Sequence, residues 1–335
     1  MIIDCHAHLV APDSLYSYRT MLQAGAGHLD LSWPLDEAGL AACAANNVAI
    51  MDAMGTDVQL LSPRPFQQMH SAKPPSIVHN WIATNNDAIA HTVSLHPDRF
   101  MGVAGLPLCG GEPVESVFEE LDRAVETLGF VGVSLNPDPW EGKGFTPLLG
   151  DEFWYPLYQR LVDLDVPILV HSAGCENGRE SYADHFLSEE SIATLSLARS
   201  STFDDFPTLK VIIPHGAGSV PYQIGRWEAE RRLPGLGGSP DLPPLRDSLR
   251  RMWFDTVLHR RASLELLIDT VGADRLVFGT ERPGSGSSED PLTGRPFDDV
   301  KSNLEEISQL DDEQRRAIFE TNPLAVFPRA AMRLA

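Results

Sequence analysis

The chain has 335 residues, 43% hydrophobic and 22% charged, and its 26 Lys and Arg against 47 Asp and Glu leave a formal net charge of −21. That length exceeds one ordinary core unless the fold is a large single-domain type such as an α/β barrel, and the acidic balance excludes nucleic acid and anionic membrane as partners. No apolar run reaches the span of a membrane helix, and Cys5, Cys43, Cys109 and Cys175 are spaced as reduced cytosolic thiols, not as a disulfide or zinc-knuckle frame.

The N-terminus carries no signal-peptide pattern, so the mature protein is expected to start at Met1 and to stay in the cytoplasm. A first strand is expected over Met1–Asp4, with His6 and His8 just past it. Side chains alternate along extended chain, so imidazoles at i and i+2 face the same way and can share one metal ion. Residues 9–33 follow as a long insertion, then a helix over Asp36–Ala45. A second strand, Asp57–Leu61, ends in Ser62-Pro63-Arg64-Pro65. Helix Ser76–Leu95 places Ile77, Trp81, Ile82, Ala88 and Ile89 on one side, and helix Val114–Leu128 repeats the spacing with Val117, Leu121, Ala124 and Val125. Strand Phe100–Leu106 lies between them, and strand Phe130–Leu135 ends in Asn136-Pro137-Asp138-Pro139.

After helix Phe153–Leu164, strand Pro167–Val170 ends in His171; after helix Ser191–Arg199, strand Leu209–Ile213 runs into Pro214-His215-Gly216. Helix Tyr222–Arg232 and the Gly/Pro-rich insertion 234–244 precede strand Trp253–Thr256, which leads to His259. Helix Ser263–Val271 precedes strand Arg275–Phe278, which ends in Gly279-Thr280-Glu281-Arg282-Pro283, and helix Val300–Ser308 follows. Eight strands alternating with helices predict a parallel (β/α)₈ TIM barrel, one domain over residues 1–335, with a doubly wound open sheet as the alternative.

Active sites of such barrels gather at the C-terminal ends of the strands. A single His after a strand is more often a hydrogen-bonded structural residue than a ligand. Four histidines and a carboxylate at equivalent strand ends point instead to a metal. Catalytic Zn²⁺ takes three or four N/O ligands and keeps a position for water, and His6, His8, His171 and Glu281 would supply them. No lysine ends the fourth strand to bridge a second ion, so one divalent ion is expected, Zn²⁺ first. His215 is left beside it as a general base or acid, a role that suits an imidazole with an unperturbed pKa of about 6.5.

His6-x-His8, His171, Pro214-His215-Gly216 and Gly279-Thr280-Glu281-Arg282-Pro283 resemble the amidohydrolase superfamily, in the branch of aminocarboxymuconate-semialdehyde decarboxylase and related lyases. The resemblance spans nearly the whole chain with its motifs in order. It implies a distorted (β/α)₈ barrel of the metal-dependent hydrolase type, with one catalytic divalent metal. The segments Leu61-Ser62-Pro63-Arg64, Leu135-Asn136-Pro137-Asp138-Pro139, Phe153-Trp154-Tyr155-Pro156 and Leu164-Asp165-Val166-Pro167 are similar to the 4-oxalomesaconate hydratase group. So are Phe206-Pro207-Thr208-Leu209 and Ile212-Ile213-Pro214-His215-Gly216, and Glu281 stands where the decarboxylases carry Asp.

That likeness implies hydration of an unsaturated oxo-polycarboxylic acid from aromatic ring cleavage, with a Cys and a Tyr after the fifth strand. Cys175 and Tyr182 match them as candidates for protonating carbon; the bland readings are a loop thiol and a packing ring. The run Arg282-Pro283-Gly284-Ser285-Gly286-Ser287 departs from the hydratase pattern and bears on which substrate is taken. Arg64 at a strand end can grip a substrate carboxylate bidentately. Asn136, Arg226 and Arg282 are further substrate-binding candidates, although surface ion pairing explains the latter two arginines equally well. Asp255 either orients a ligand or holds the loop after the seventh strand, and His28, His70, His79, His91, His96, His185 and His259 are read as surface or helix residues. A small carboxylate is the expected partner and a homo-oligomer the expected state. The rival functions are a non-oxidative decarboxylase of an aromatic or muconate-type acid, a metal-dependent lactone or amide hydrolase, and a non-catalytic barrel subunit.

Overall fold

Strands covered on both faces must be apolar on both faces, and apart from Trp253 every strand residue is buried. The computed structural model describes residues 1–25 and 32–335. His28 and the middle of the 9–33 insertion lie outside the described residues. The strands are β1 (Ile3–His8), β2 (Val58–Ser62), β3 (Phe100–Gly105), β4 (Gly132–Leu135), β5 (Ile168–Val170), β6 (Val211–Ile213), β7 (Trp253–Asp255) and β8 (Leu276–Val277). They pair in parallel and in sequence order. The Cys5 N–H donates to the Phe278 carbonyl at 2.8 Å and the Glu281 N–H to the His6 carbonyl at 2.7 Å, which brings the eighth strand back to the first. This is the (β/α)₈ barrel. A doubly wound sheet would reverse its strand order partway, and this sheet does not.

One packed cluster draws Ile3, Cys5, Val58, Leu60, Met101, Val103, Leu169, Ile212 and Val277 from strands all around the sheet, so it fills the barrel's interior. Phe327 and Ala330, in the C-terminal residues beyond the predicted elements, join that cluster, and the Phe327 ring reaches within 2.9 Å of where a Cβ on Gly132 would sit. They plug the barrel end away from His8. The larger cluster, with Trp81, Trp154 and Phe254, lies between sheet and helices.

The pairing of β1 with β2 slips by one residue between Asp4 and Ala7. That bulge lets Ile3 and Cys5 point inward and then His6 and His8 inward as well, which unbroken alternation forbids. Asp4 is left on the outer face of the wall. There its Oδ1 accepts the Thr280 N–H at 3.0 Å, and its Oδ2 accepts the Thr280 hydroxyl at 2.6 Å and the Gln59 amide at 3.0 Å. Side chains thus clasp β1, β2 and the residues after β8 together.

Three elements differ from expectation. The helix expected over Asp36–Ala45 spans Glu37–Met54, since Asn47, which interrupts the apolar spacing, is buried and donates to Gln59 at 3.0 Å. The helix expected from Ser191 starts at Tyr182, capped by the reciprocal pair Ser181 and Asp184. The 9–33 insertion holds a helix, Asp13–Ala24, that buries Leu15, Tyr18 and Leu22. The 234–244 insertion carries only a 3₁₀ turn at Pro234–Leu236. Among the described residues no helix is long and apolar enough to cross a membrane.

Candidate metal centre

His6 and His8 end β1, His171 follows β5 directly, His215 follows β6 after Pro214, and Glu281 follows β8. His215 and Glu281 hold φ angles of +50° and +58°. Side chains other than glycine rarely adopt that left-handed region, and such residues concentrate at functional sites. Gly279 makes room beside them: a Cβ there would sit 2.9 Å from the His6 Cβ.

Each imidazole is anchored through Nδ1. His6 Nδ1 lies 2.6 Å from Asp255 Oδ2, and His215 Nδ1 lies 2.9 Å from Glu190 Oε2. His171 Nδ1 lies 2.8 Å from the Ser172 carbonyl, an acceptor only, so that nitrogen carries the proton. His8 Nδ1 lies 2.9 Å from Ser62 Oγ, whose own hydrogen goes to the Ala7 carbonyl. All four Nε2 atoms are then buried without a hydrogen-bond partner. Four unsatisfied ring nitrogens buried together would be costly unless something binds them. One ligand atom each from His6, His171, His215 and Glu281 lies within 4.8 Å of the others, and His8 Nε2 stands 3.7 Å from Glu281 Oε1. The neutral, lone-pair nitrogens of His6, His8 and His171 around a carboxylate fit a divalent cation.

Burial holds the imidazoles of His6, His8 and His171 below their ordinary 6.5. His215 goes the other way: burial pulls it down, but the carboxylates of Glu190 and Glu281 outweigh that and hold it well above. Burial pushes Glu190 up to about 7 and Asp255 up to about 6. In Glu281, burial is outweighed by contact with His215 and His8, and its carboxyl is held well below 4.5.

A cavity of about 450 Å³ is lined by Phe66, Glu141, Cys175 and Tyr182. An aromatic run leads from it to the cluster: ring centroids of Phe66 and Tyr182 are 5.6 Å apart, Tyr182 and Phe186 5.0 Å, Phe186 and His215 4.7 Å. Tyr182 is the first residue of its helix, not part of the loop. Burial first, then Glu281 and Glu190, push its hydroxyl above 10.0. Arg64 lies close enough to His8, Tyr16 and Tyr182 to bias all three, and it donates to the Pro283 carbonyl at 3.1 Å.

Of the other substrate-binding candidates, two are engaged elsewhere and one is exposed. Asn136 spends its amide on its own turn, donating to the Asp138 carbonyl at 2.9 Å and accepting the Asp138 N–H at 3.0 Å. Arg282 is buried against Asp298 in an ion pair. Arg226 is exposed midway along helix Val220–Arg232. Two histidines read as surface or helix residues are buried: His70, in a turn, bonds the Leu108 carbonyl at 2.8 Å, and His185 bonds Glu180 at 3.0 Å. Glu190 is absent from the expected site because the helix that carries it was expected to begin one residue later. The Ser-x-x-Asp capping signal at Ser181 and Asp184 would have found it.

Residues 3–329 match the family model described as amidohydrolase. The chain is 36% identical over 340 residues to a Sphingobium protein named 2-keto-4-carboxy-3-hexenedioate hydratase, covering 100% of this chain and 98% of that one. The solved structure of 4-oxalomesaconate hydratase from Rhodopseudomonas palustris matches with a TM-score of 0.88 at 31% identity, covering 100% of this chain and 98% of that one. A gamma-resorcylate decarboxylase from Rhizobium is 32% identical over 256 residues, 70% of this chain and 75% of its own length.

Proposed function

Because the chain belongs to the amidohydrolase family, we propose that it is a metal-dependent lyase that adds water to an unsaturated oxo-polycarboxylic acid from aromatic ring cleavage, as 4-oxalomesaconate hydratase does. The observation that carries this reading is the convergence of four unpartnered Nε2 atoms on Glu281, in a chain similar over its full length to a hydratase. We take the whole chain as one barrel domain and, from its four free cysteines, the cytoplasm as its place.

His6, His8, His171 and Glu281 hold one divalent ion, Zn²⁺ first, since imidazole nitrogen and carboxylate oxygen both suit it. When bound, such an ion supplies Lewis acidity that acidifies water and polarises a carbonyl oxygen. With Glu281 engaged by a cation, the pull of that carboxylate on His215 is offset and Nε2 is left free to receive the proton that water gives up, and Glu190 at Nδ1 steadies the imidazolium so formed. Cys175 and Tyr182 line the adjoining cavity and stand ready to protonate carbon. Burial pushes both groups up, so each keeps its proton at neutral pH, as a donor must. Arg64 grips a substrate carboxylate at the mouth.

The test is turnover of a panel of ring-cleavage acids, 4-oxalomesaconate among them, by metal-loaded protein. Loss of the conjugated-enone absorbance without carbon dioxide release is expected. Gas release would favour the decarboxylase reading, to which the Rhizobium relative gives support. Purified protein without stoichiometric metal would sink both.

A further inference from the structure

The cavity beside the imidazoles is lined on one side by Cys175 and Tyr182 and elsewhere by Arg19, Lys73 and Lys143. Three cations around one cavity need an account in a chain of net charge −21. Two find it inside the protein. Lys73 Nζ donates to the Gly110 carbonyl at 2.7 Å and lies 5.4 Å from the Trp140 ring, and Lys143 Nζ lies 3.3 Å from Glu176. Glu141, the buried carboxylate of this wall, is taken by Ser71, whose N–H and hydroxyl donate to Oε2 at 3.1 and 2.5 Å.

Arg19 is left over. Its Nε is buried without a hydrogen-bond partner, and the carboxylates near enough to act on its charge, Glu141 and Glu176, are already engaged by Ser71 and Lys143. Helix Asp13–Ala24 sets it there: Leu15, Tyr18 and Leu22 anchor the helix in the core, and Arg19 and Gln23, one turn apart, face the cavity. A half-buried guanidinium without an acceptor pays desolvation that a carboxylate in fork geometry would recover.

We propose that Arg19 is a specificity residue that receives a substrate carboxylate remote from the reacting carbons. The proposal rests on the hydratase reading above and extends it by assigning the carboxylates of one substrate to different arginines, one to Arg64 and a second to Arg19. Lysine would keep the charge and lose the fork.

The test is equilibrium binding of propane-1,2,3-tricarboxylate, glutarate and 2-methylsuccinate to metal-loaded wild type, Arg19→Met and Arg19→Lys, beside steady-state hydration of the oxo-tricarboxylate. In Arg19→Met, tricarboxylate binding and kcat/KM should fall about 10- to 100-fold, the size of a charge-assisted hydrogen bond. The loss should appear in KM with kcat held, Arg19→Lys should recover part of it, and one of the two dicarboxylates should bind as before. Equal loss for all three acids, or no loss for any, overturns the proposal. If tricarboxylate binding depends on Arg19 while wild type hydrates none of the ring-cleavage acids, the hydratase reading falls and the carboxylate site stands.

Discussion

His6, His8, His171 and His215 stand on or just after strands, each pinned through Nδ1 at 2.6–2.9 Å, whereas Arg19, Arg64, Cys175 and Tyr182 come from the loops and helices between strands. The first group leaves each Nε2 unpartnered and pointed inward; in the second, Arg19, Cys175 and Tyr182 line open volume. A metal demands fixed donor geometry, which the sheet provides and the Nδ1 partners complete. A substrate wall need only match one acid, and the connections between strands can vary without disturbing the barrel. On the proposed reading, metal binding and water activation are built into the strand ends, and proton donation to carbon and the choice of substrate into what lies between them.

The largest expected effect breaks the strand-end side of that contrast. Glu281→Gln removes the carboxylate that, among the described residues, stands with the unpartnered nitrogens, so metal content should fall and turnover by at least about a thousandfold. Metal analysis of the purified variant decides it; full occupancy would show that the imidazoles suffice. Acid should release the metal from wild type as well. Ligand imidazoles must be neutral, and burial holds His6, His8 and His171 below 6.5, so binding persists under that pH and is lost as pH falls through the lowered values. A metal-occupancy titration that breaks above 6.5 would contradict the assigned ligands.

Next in size is His215→Asn, which sharpens the division within the strand-end group. Metal should stay and kcat fall about 10²- to 10⁴-fold, as for loss of a general base. If metal leaves instead, His215 is a ligand, as its place within 4.8 Å of the other donors allows. Asp255→Asn and Glu190→Gln should each cost about 10- to 100-fold, because they orient ring nitrogens without touching substrate. Between the two, the pH profile discriminates: Glu190→Gln removes a carboxylate that raises His215 and should move the acid limb set by that base to lower pH, and Asp255→Asn should weaken metal binding.

The same contrast explains what could be read from the chain. Strand ends were legible because a short apolar run followed by a polar, metal-competent residue recurs, as in Val170-His171 and Ile213-Pro214-His215. Even so, the expected first strand stops at Asp4, since the bulge that turns His6 and His8 inward leaves no trace in an alternation pattern. The cavity wall was far less legible. Arg19 sits in a stretch with no strand to mark it, and Glu190 sits before the expected start of its helix. Arg282 follows the metal motif directly and still pairs with Asp298, 16 residues on, a contact local spacing cannot show.

The smallest expected effect marks the outer limit of the substrate wall. Arg226 is a carboxylate-binding candidate that surface ion pairing explains equally well, and it stands exposed midway along helix Val220–Arg232. Alanine is the best helix former, and exposed helix positions without partners tolerate substitution within about 0.5 kcal/mol. Arg226→Ala should therefore leave the thermal midpoint unchanged and kcat/KM within about twofold, whereas Arg64→Ala should raise KM by about tenfold or more because its fork is lost at the mouth. A tenfold loss in Arg226→Ala with metal content unchanged would mean that this helix face reaches substrate, and the boundary drawn between strand ends and connecting elements would have to move outward to include it.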